Sequence, residues 1–183
     1  LNIMWKSTKL FLLLILLGFS VFVNANLLVS SVRAWTPLEG HITQDTTLTL
    51  AKSPYRVIND VTVDAGVKLT IEPGVKVEFN ASSFIVYGTL NAVGTPDRLI
   101  NFTAFDPKVA GWSGINFWGE KSESLTIRYS VITHAYIGIN IAGWGKAVIE
   151  KSEISDNSGC AIFLARGPDV LTVSYTHLTL PTK

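Results

Sequence analysis

A single cysteine, Cys160, stands in 183 residues, so no disulfide can form within the chain and its stability has to come from packing. A reactive thiol would need a base beside it, and His134, the nearest histidine in sequence, forms no motif with Cys160; the thiol reads as a small buried side chain. Charge is scarce as well. Only 16% of residues are charged and the formal net charge is +1, with the lysines and arginines scattered, which excludes a concentrated basic face for nucleic acid. The three histidines, His41, His134 and His177, are too far apart in sequence to read as a metal-ligand set. Beyond the first 34 residues helical periodicity is missing, which argues against an α-rich fold.

Hydrophobic residues, by contrast, make up 48% of the chain, enough for one sizeable core. Part of that total sits at the N-terminus, where Lys6 and Lys9 precede the apolar run LFLLLILLGFSVFV at 10–23. A basic start, a short apolar middle and small residues at 23–25 are the pattern of an export signal, with cleavage expected after Ala25 or Ala34. An uncleaved anchor reaching to about Val32 is the alternative; it would put Asn24 and Asn26 inside hydrocarbon. Either way the remainder is expected outside the cytoplasm, secreted or at the cell surface, with a membrane as partner only through an uncleaved segment.

The stretch 61–76, VTVDAGVKLTIEPGVK, is the same octet written twice, and the next octet, VEFNASSF, keeps its opening alternation. Val61, Val63, Val67, Leu69, Ile71, Val75, Val77 and Phe79 fall on odd positions, while Thr62, Lys68, Thr70, Lys76 and Glu78 fall on even, solvent-facing ones. Between these short strands lie Asp64-Ala65-Gly66 and Glu72-Pro73-Gly74. Pro then Gly suits a type II turn, which bends a chain without matching the twist of a hairpin. The strands are therefore expected to turn a corner and continue. Three octets, about 24 residues, would close one coil of a three-sided parallel solenoid. Ser130-Val131-Ile132 recurring as Ser152-Glu153-Ile154, and Ile139 as Ile162, support coils of 22 to 23 residues and predict that Val131 pairs with Glu153. Further strands are expected at 84–87, 99–103, 114–118, 125–131, 137–142, 148–150 and 161–165.

The runs LTIEPGVKVEF, GTLNAVGTPDRLINFTA, GWSGINFWG and SEISDNSG, in that order, resemble the right-handed parallel β-helix proteins of prokaryotic cell surfaces, with the pectate-lyase-like fold. The resemblance covers roughly residues 55–170. It implies an all-β, right-handed, three-sided β-helix of about five coils, a rod of roughly 25 Å at ~4.8 Å per coil, with more coils expected beyond this stretch. The domain is expected over 35–172. The terminal VSYTHLTLPTK, from 173 to 183, breaks the coil pattern and reads as a tail that is not native, although YTHLTL alternates well enough for a last strand.

No constellation of catalytic residues, metal ligands or cofactor-binding residues is readable. A lyase of this fold would need clustered carboxylates and a base, whereas Asp60, Asp64, Asp97, Asp106 and Asp156 are isolated in sequence. Arg128 and Glu150, 22 residues apart, are expected to stack outward as a surface ion pair. Asn157 is placed either as a corner amide bonded to backbone or as an ordinary solvent turn. Asn80-Ala81-Ser82 and Asn101-Phe102-Thr103 have the glycosylation spacing, with Asn101 inside a strand. The candidate carbohydrate-binding residues are Trp112, Trp118 and Trp144, each beside glycine in GWSG, FWGE and GWGK, where a corner could present an indole to a sugar face. The competing reading has Trp112 and Trp118 capping the hydrophobic interior or packing under a loop. The expected function is a non-catalytic surface or secreted β-helix protein that binds polysaccharide or a cell-surface component. Its alternatives are a polysaccharide lyase or glycosidase with catalytic coils outside this stretch, and a structural stalk or S-layer-like element.

Overall fold

The computed structural model describes residues 35–108, 111–174 and 177–178. The expected export signal and its processing region, 1–34, lie outside the described residues, as does most of the expected tail.

The chain winds through repeated sets of three strands. The first turn is β1 (Thr36–Pro37), β2 (Gly40–Ile42) and β3 (Thr46–Leu48); the second β4 (Tyr55–Val57), β5 (Val61–Val63) and β6 (Lys68–Ile71). The third is β7 (Lys76–Phe79), β8 (Phe84–Val86) and β9 (Thr89–Val93); the fourth β10 (Ile100–Ala104), β11 (Ile115–Phe117) and β12 (Ser124–Arg128). The fifth is β13 (Ser130–Thr133), β14 (Ile139–Ile141) and β15 (Lys146–Glu150); the sixth β16 (Glu153–Ser155), β17 (Ile162–Leu164) and β18 (Leu171–Ser174), followed by β19 (His177–Leu178). Each strand pairs in parallel with the third strand before it and the third after it, except at the ends, where one neighbour is present, giving three sheets that we call A (from β1), B (from β2) and C (from β3). This is a three-sided parallel β-helix of about six turns. The turn beyond the expected five is the first, whose sequence TPLEGHITQDTTL carries no trace of the octet. The boundary expected at 172/173 falls inside β18, which pairs with β15.

The octets occupy one turn as the periodicity requires, and Val61 meets Phe84 across sheet B. The eight Val, Leu, Ile and Phe residues at odd positions from Val61 to Phe79 are all buried. Asp64 to Val67 and Glu72 to Val75 each close with a hydrogen bond from the fourth residue's N–H to the first residue's carbonyl, and Gly66 and Gly74 supply φ of +79° and +87°. Val131 pairs with Glu153, and Ile139 with Ile162. The strand expected at 125–131 is two strands. Tyr129 breaks it with φ +48°, and Lys151 repeats the left-handed corner one coil later with φ +50°. No glycine marks either corner, so alternation alone did not show the bend.

Inside, side chains stack in columns, for example Leu48, Ile71, Ala92, Ile127 and Ile149 under sheet C, all at or near zero exposure. The fourth turn is longer than the others. Phe102 pairs with Ile132, Phe84 with Ile115 and Ala92 with Ile127, separations of 30, 31 and 35 residues. The extra length lies mainly in the connections at 105–114 and 118–123. Those two loops carry Trp112 and Trp118.

Candidate functional site: an aromatic corner

The 105–114 loop turns its tryptophan inward. Trp112 is fully buried, its ring stacks on Phe79 with centroids 3.9 Å apart, and its Nε1–H donates to the Thr133 carbonyl at 3.0 Å. The glycines of GWSG serve this packing rather than exposing the indole. Gly114 has φ +98°, and a Cβ there would run into the Ile137 carbonyl of the next coil. Trp112 is therefore removed from the sugar-stacking set, because a ring with no solvent-facing side cannot meet a ligand.

Trp118 and Trp144 stay half-exposed, at 46% and 42%. Both lie where sheet B turns into sheet C. Trp118 N–H donates to the Val86 carbonyl at 2.8 Å, and Trp144 N–H, one coil on, donates to the Gly119 carbonyl at 2.9 Å. A Cβ at Gly143 would collide with the backbone of Trp118 and Gly119, so the two corners lie backbone against backbone and the indole side chains project to the outside. Tyr87, 46% exposed, holds the equivalent place one coil before Trp118, with its N–H on the Val63 carbonyl at 2.9 Å. Sequence reasoning missed Tyr87. The signal was its position directly after β8, as Trp118 follows β11. Beside Trp144 an open groove is lined by Glu120, Lys121, Ser122 and Asp169, with Lys121 Nζ 3.5 Å from Asp169 Oδ2.

A second open groove runs along the corner between sheets A and B in the first three turns, lined by Glu39, His41, Asp60, Thr62 and Ser82 among others. His41 Nδ1 lies 2.7 Å from Asp64 Oδ1, and Asn59 donates to Glu39 at 3.0 Å. Residues isolated in sequence are thus neighbours in space, and the 23-residue separation of His41 and Asp64 was the clue. Asp60 Oδ1 is occupied by the Ser83 N–H at 2.7 Å. His134 sits at the corner after β13 with φ +59°, its Nδ1 3.2 Å from Thr103 Oγ1. His177 lies in β19, which pairs with β16. Among the described residues no group of three His, Cys, Asp or Glu side chains gathers as a metal site would, and no helix is long and apolar enough to cross a membrane.

On sheet A the alternation puts Glu78 on the outer face, yet it is 8% exposed. Arg56 reaches it at 3.2 Å from the neighbouring strand and Lys76 at 2.7 Å from its own strand, while Phe105 and Trp35 flank the guanidinium at 3.7 and 5.0 Å. Burial pushes the Glu78 carboxyl up, but hydrogen bonds and charge from Lys76 and Arg56 outweigh it and hold the pKa below the ordinary glutamate value of 4.5. Arg128 and Glu150 do stack across β12 and β15, Nε to Oε2 2.9 Å. Asn157 is the corner amide of the first reading. It is 3% exposed, and its Oδ1 accepts the Ala135 N–H at 2.9 Å. Cys160 is only half-buried, because it lies in the loop before β17 rather than on an inward strand position. Asn80 is exposed at a corner, whereas Asn101 sits in β10 with Nδ2 on the Leu99 carbonyl at 3.3 Å.

No protein-family profile matches the chain, and no solved structure matches it. Among curated proteins, 74 residues are 41% identical to Protein bark beetle of Drosophila melanogaster, covering 39% of this chain. The matched stretch is 2% of that protein's length, so the likeness is local and assigns no family.

Proposed function

We propose that the chain is an exported, non-catalytic β-helix protein of the pectate-lyase-like superfamily, of the kind carried on prokaryotic surfaces, and that it binds polysaccharide at the corner between sheets B and C. The superfamily reading rests on the order of the four motif runs. Export rests on Lys6, Lys9 and the apolar run at 10–23, and intact mass of protein recovered outside the cell should give an N-terminus at Asn26 or Trp35; a retained segment would mean an anchor.

The observation that carries the binding reading is the pair of half-exposed indoles on adjacent coils, Trp118 and Trp144, with a groove lined by Glu120, Lys121, Ser122 and Asp169 beside Trp144. Rings set among polar groups suit sugars, whose C–H faces stack on indole while their hydroxyls bond the surroundings. A protein-docking surface would instead centre on a continuous apolar patch. Affinity electrophoresis through gels containing neutral polysaccharides tests this. Retardation is expected, with Trp118→Ala and Trp144→Ala each weakening it by about 1 kcal/mol. Absence of retardation by any polysaccharide would refute the binding reading, and ultraviolet-absorbing unsaturated product from polygalacturonate would assign a lyase instead.

A further inference from the structure

Granting that sugars bind at this corner, we infer that the ligand is a neutral, extended, β-linked polysaccharide lying along the solenoid axis, with Tyr87, Trp118 and Trp144 contacting it on three successive coils. Tyr87 and Trp118 are the first residues after β8 and β11, and each donates its N–H to the carbonyl of the residue that ends the strand one coil before. Trp144 follows on the next coil, bonded to Gly119. Coils repeat at about 4.8 Å, close to the advance of one sugar along a stretched β-linked chain, so a straight polymer parallel to the axis keeps step with the coils. An α-linked glycan that curls would leave the row after one contact.

The row has ends. The same position is Asp64 one coil before Tyr87, and Ala142 and Ala165 on the two coils after Trp118, Trp144 lying two residues beyond Ala142. Aromatic contact therefore spans three coils, enough for about three or four sugars. Charge selects the class. Glu120 and Asp169 outnumber Lys121 in the groove beside Trp144, and Lys121 already faces Asp169, so an acidic polymer meets repulsion while a neutral one does not.

Calorimetric titration of the full chain with β-1,4-linked gluco-, xylo- and manno-oligosaccharides of one to six units tests the inference, with malto-oligosaccharides and oligogalacturonates alongside. Affinity in at least one β-linked series should climb to three or four units and then level off. It should exceed the α-linked and acidic series by at least tenfold. Tyr87→Ala should weaken the tetramer about fivefold and leave the monosaccharide unchanged, and Tyr87→Trp should restore tetramer binding, which a merely misfolded variant would not do. If Trp118→Ala and Trp144→Ala weaken tetramer binding but Tyr87→Ala leaves it unchanged, or if a monosaccharide binds as tightly as the tetramer, the axial polymer is wrong while the sugar-binding corner stands. Tighter binding of oligogalacturonate or maltotetraose overturns the neutral, extended class. Absence of binding by every glycan removes both proposals.

Discussion

At the scale of single residues, two tryptophans in nearly identical contexts have opposite fates. GWSG and FWGE both place an indole beside glycine, yet Trp112 fills the interior and Trp118 faces solvent. What separates them is loop length, since the longer 105–114 connection can fold its ring back onto Phe79. Trp112→Ala should cost about 3 to 5 kcal/mol of stability through cavity formation, whereas Trp118→Ala should change it by no more than about 0.5. Denaturant midpoints compare the two directly; equal losses would mean that Trp118 is also a packing residue. Local sequence could not decide this, because both rings border glycine and the discriminating partner, Phe79, lies 33 residues away in sequence from Trp112. The odd-position valines were legible for the converse reason. Their neighbours in the core follow from alternation alone.

At the scale of strands, sheet A shows how an outward position becomes enclosed. Glu78 on β7 is gripped by Arg56 on β4 and Lys76 on its own strand, with Phe105 covering the guanidinium. Its pKa lies below 4.5, so its contribution to stability is present above that ordinary value and fades as pH falls through the lower, folded value. Glu78→Gln should therefore be less stable than the parent at neutral pH, on the order of 1 kcal/mol given partners that remain partly solvated. The gap should close in acid below about pH 4.5. Thermal melts at pH 7 and pH 3 check the sign, and a gap that widens in acid would exclude it. The 22-residue step from Arg56 to Glu78 falls within the expected coil length, so the pairing was available from the period. The enclosure was not, since Phe105 and Trp35 come from segments without repeat character. Corners such as Tyr129 escaped for a related reason: a left-handed residue that is not glycine leaves no compositional mark.

At the scale of the whole solenoid, every ladder hydrogen bond links one coil to the next and so runs along the axis. Tension applied between the first and last strands pulls on those bonds lengthwise, and only the outermost coil need part at a given moment. The rod should yield coil by coil, at low load, rather than shear apart at once. Most coils hold about 23 residues and would release on the order of 80 Å of chain each. The fourth turn, with its pairings 30 to 35 residues apart, would release a visibly longer piece, roughly 100 Å or more. Optical-trap extension of the folded domain would record that one long interval among shorter ones, and its place in the series would report which end frayed first. A single rupture of the whole domain would contradict coil-wise yielding. The turn that carries Trp118 is thus also a mark on a ruler, locating the aromatic row by the length of chain it lets go.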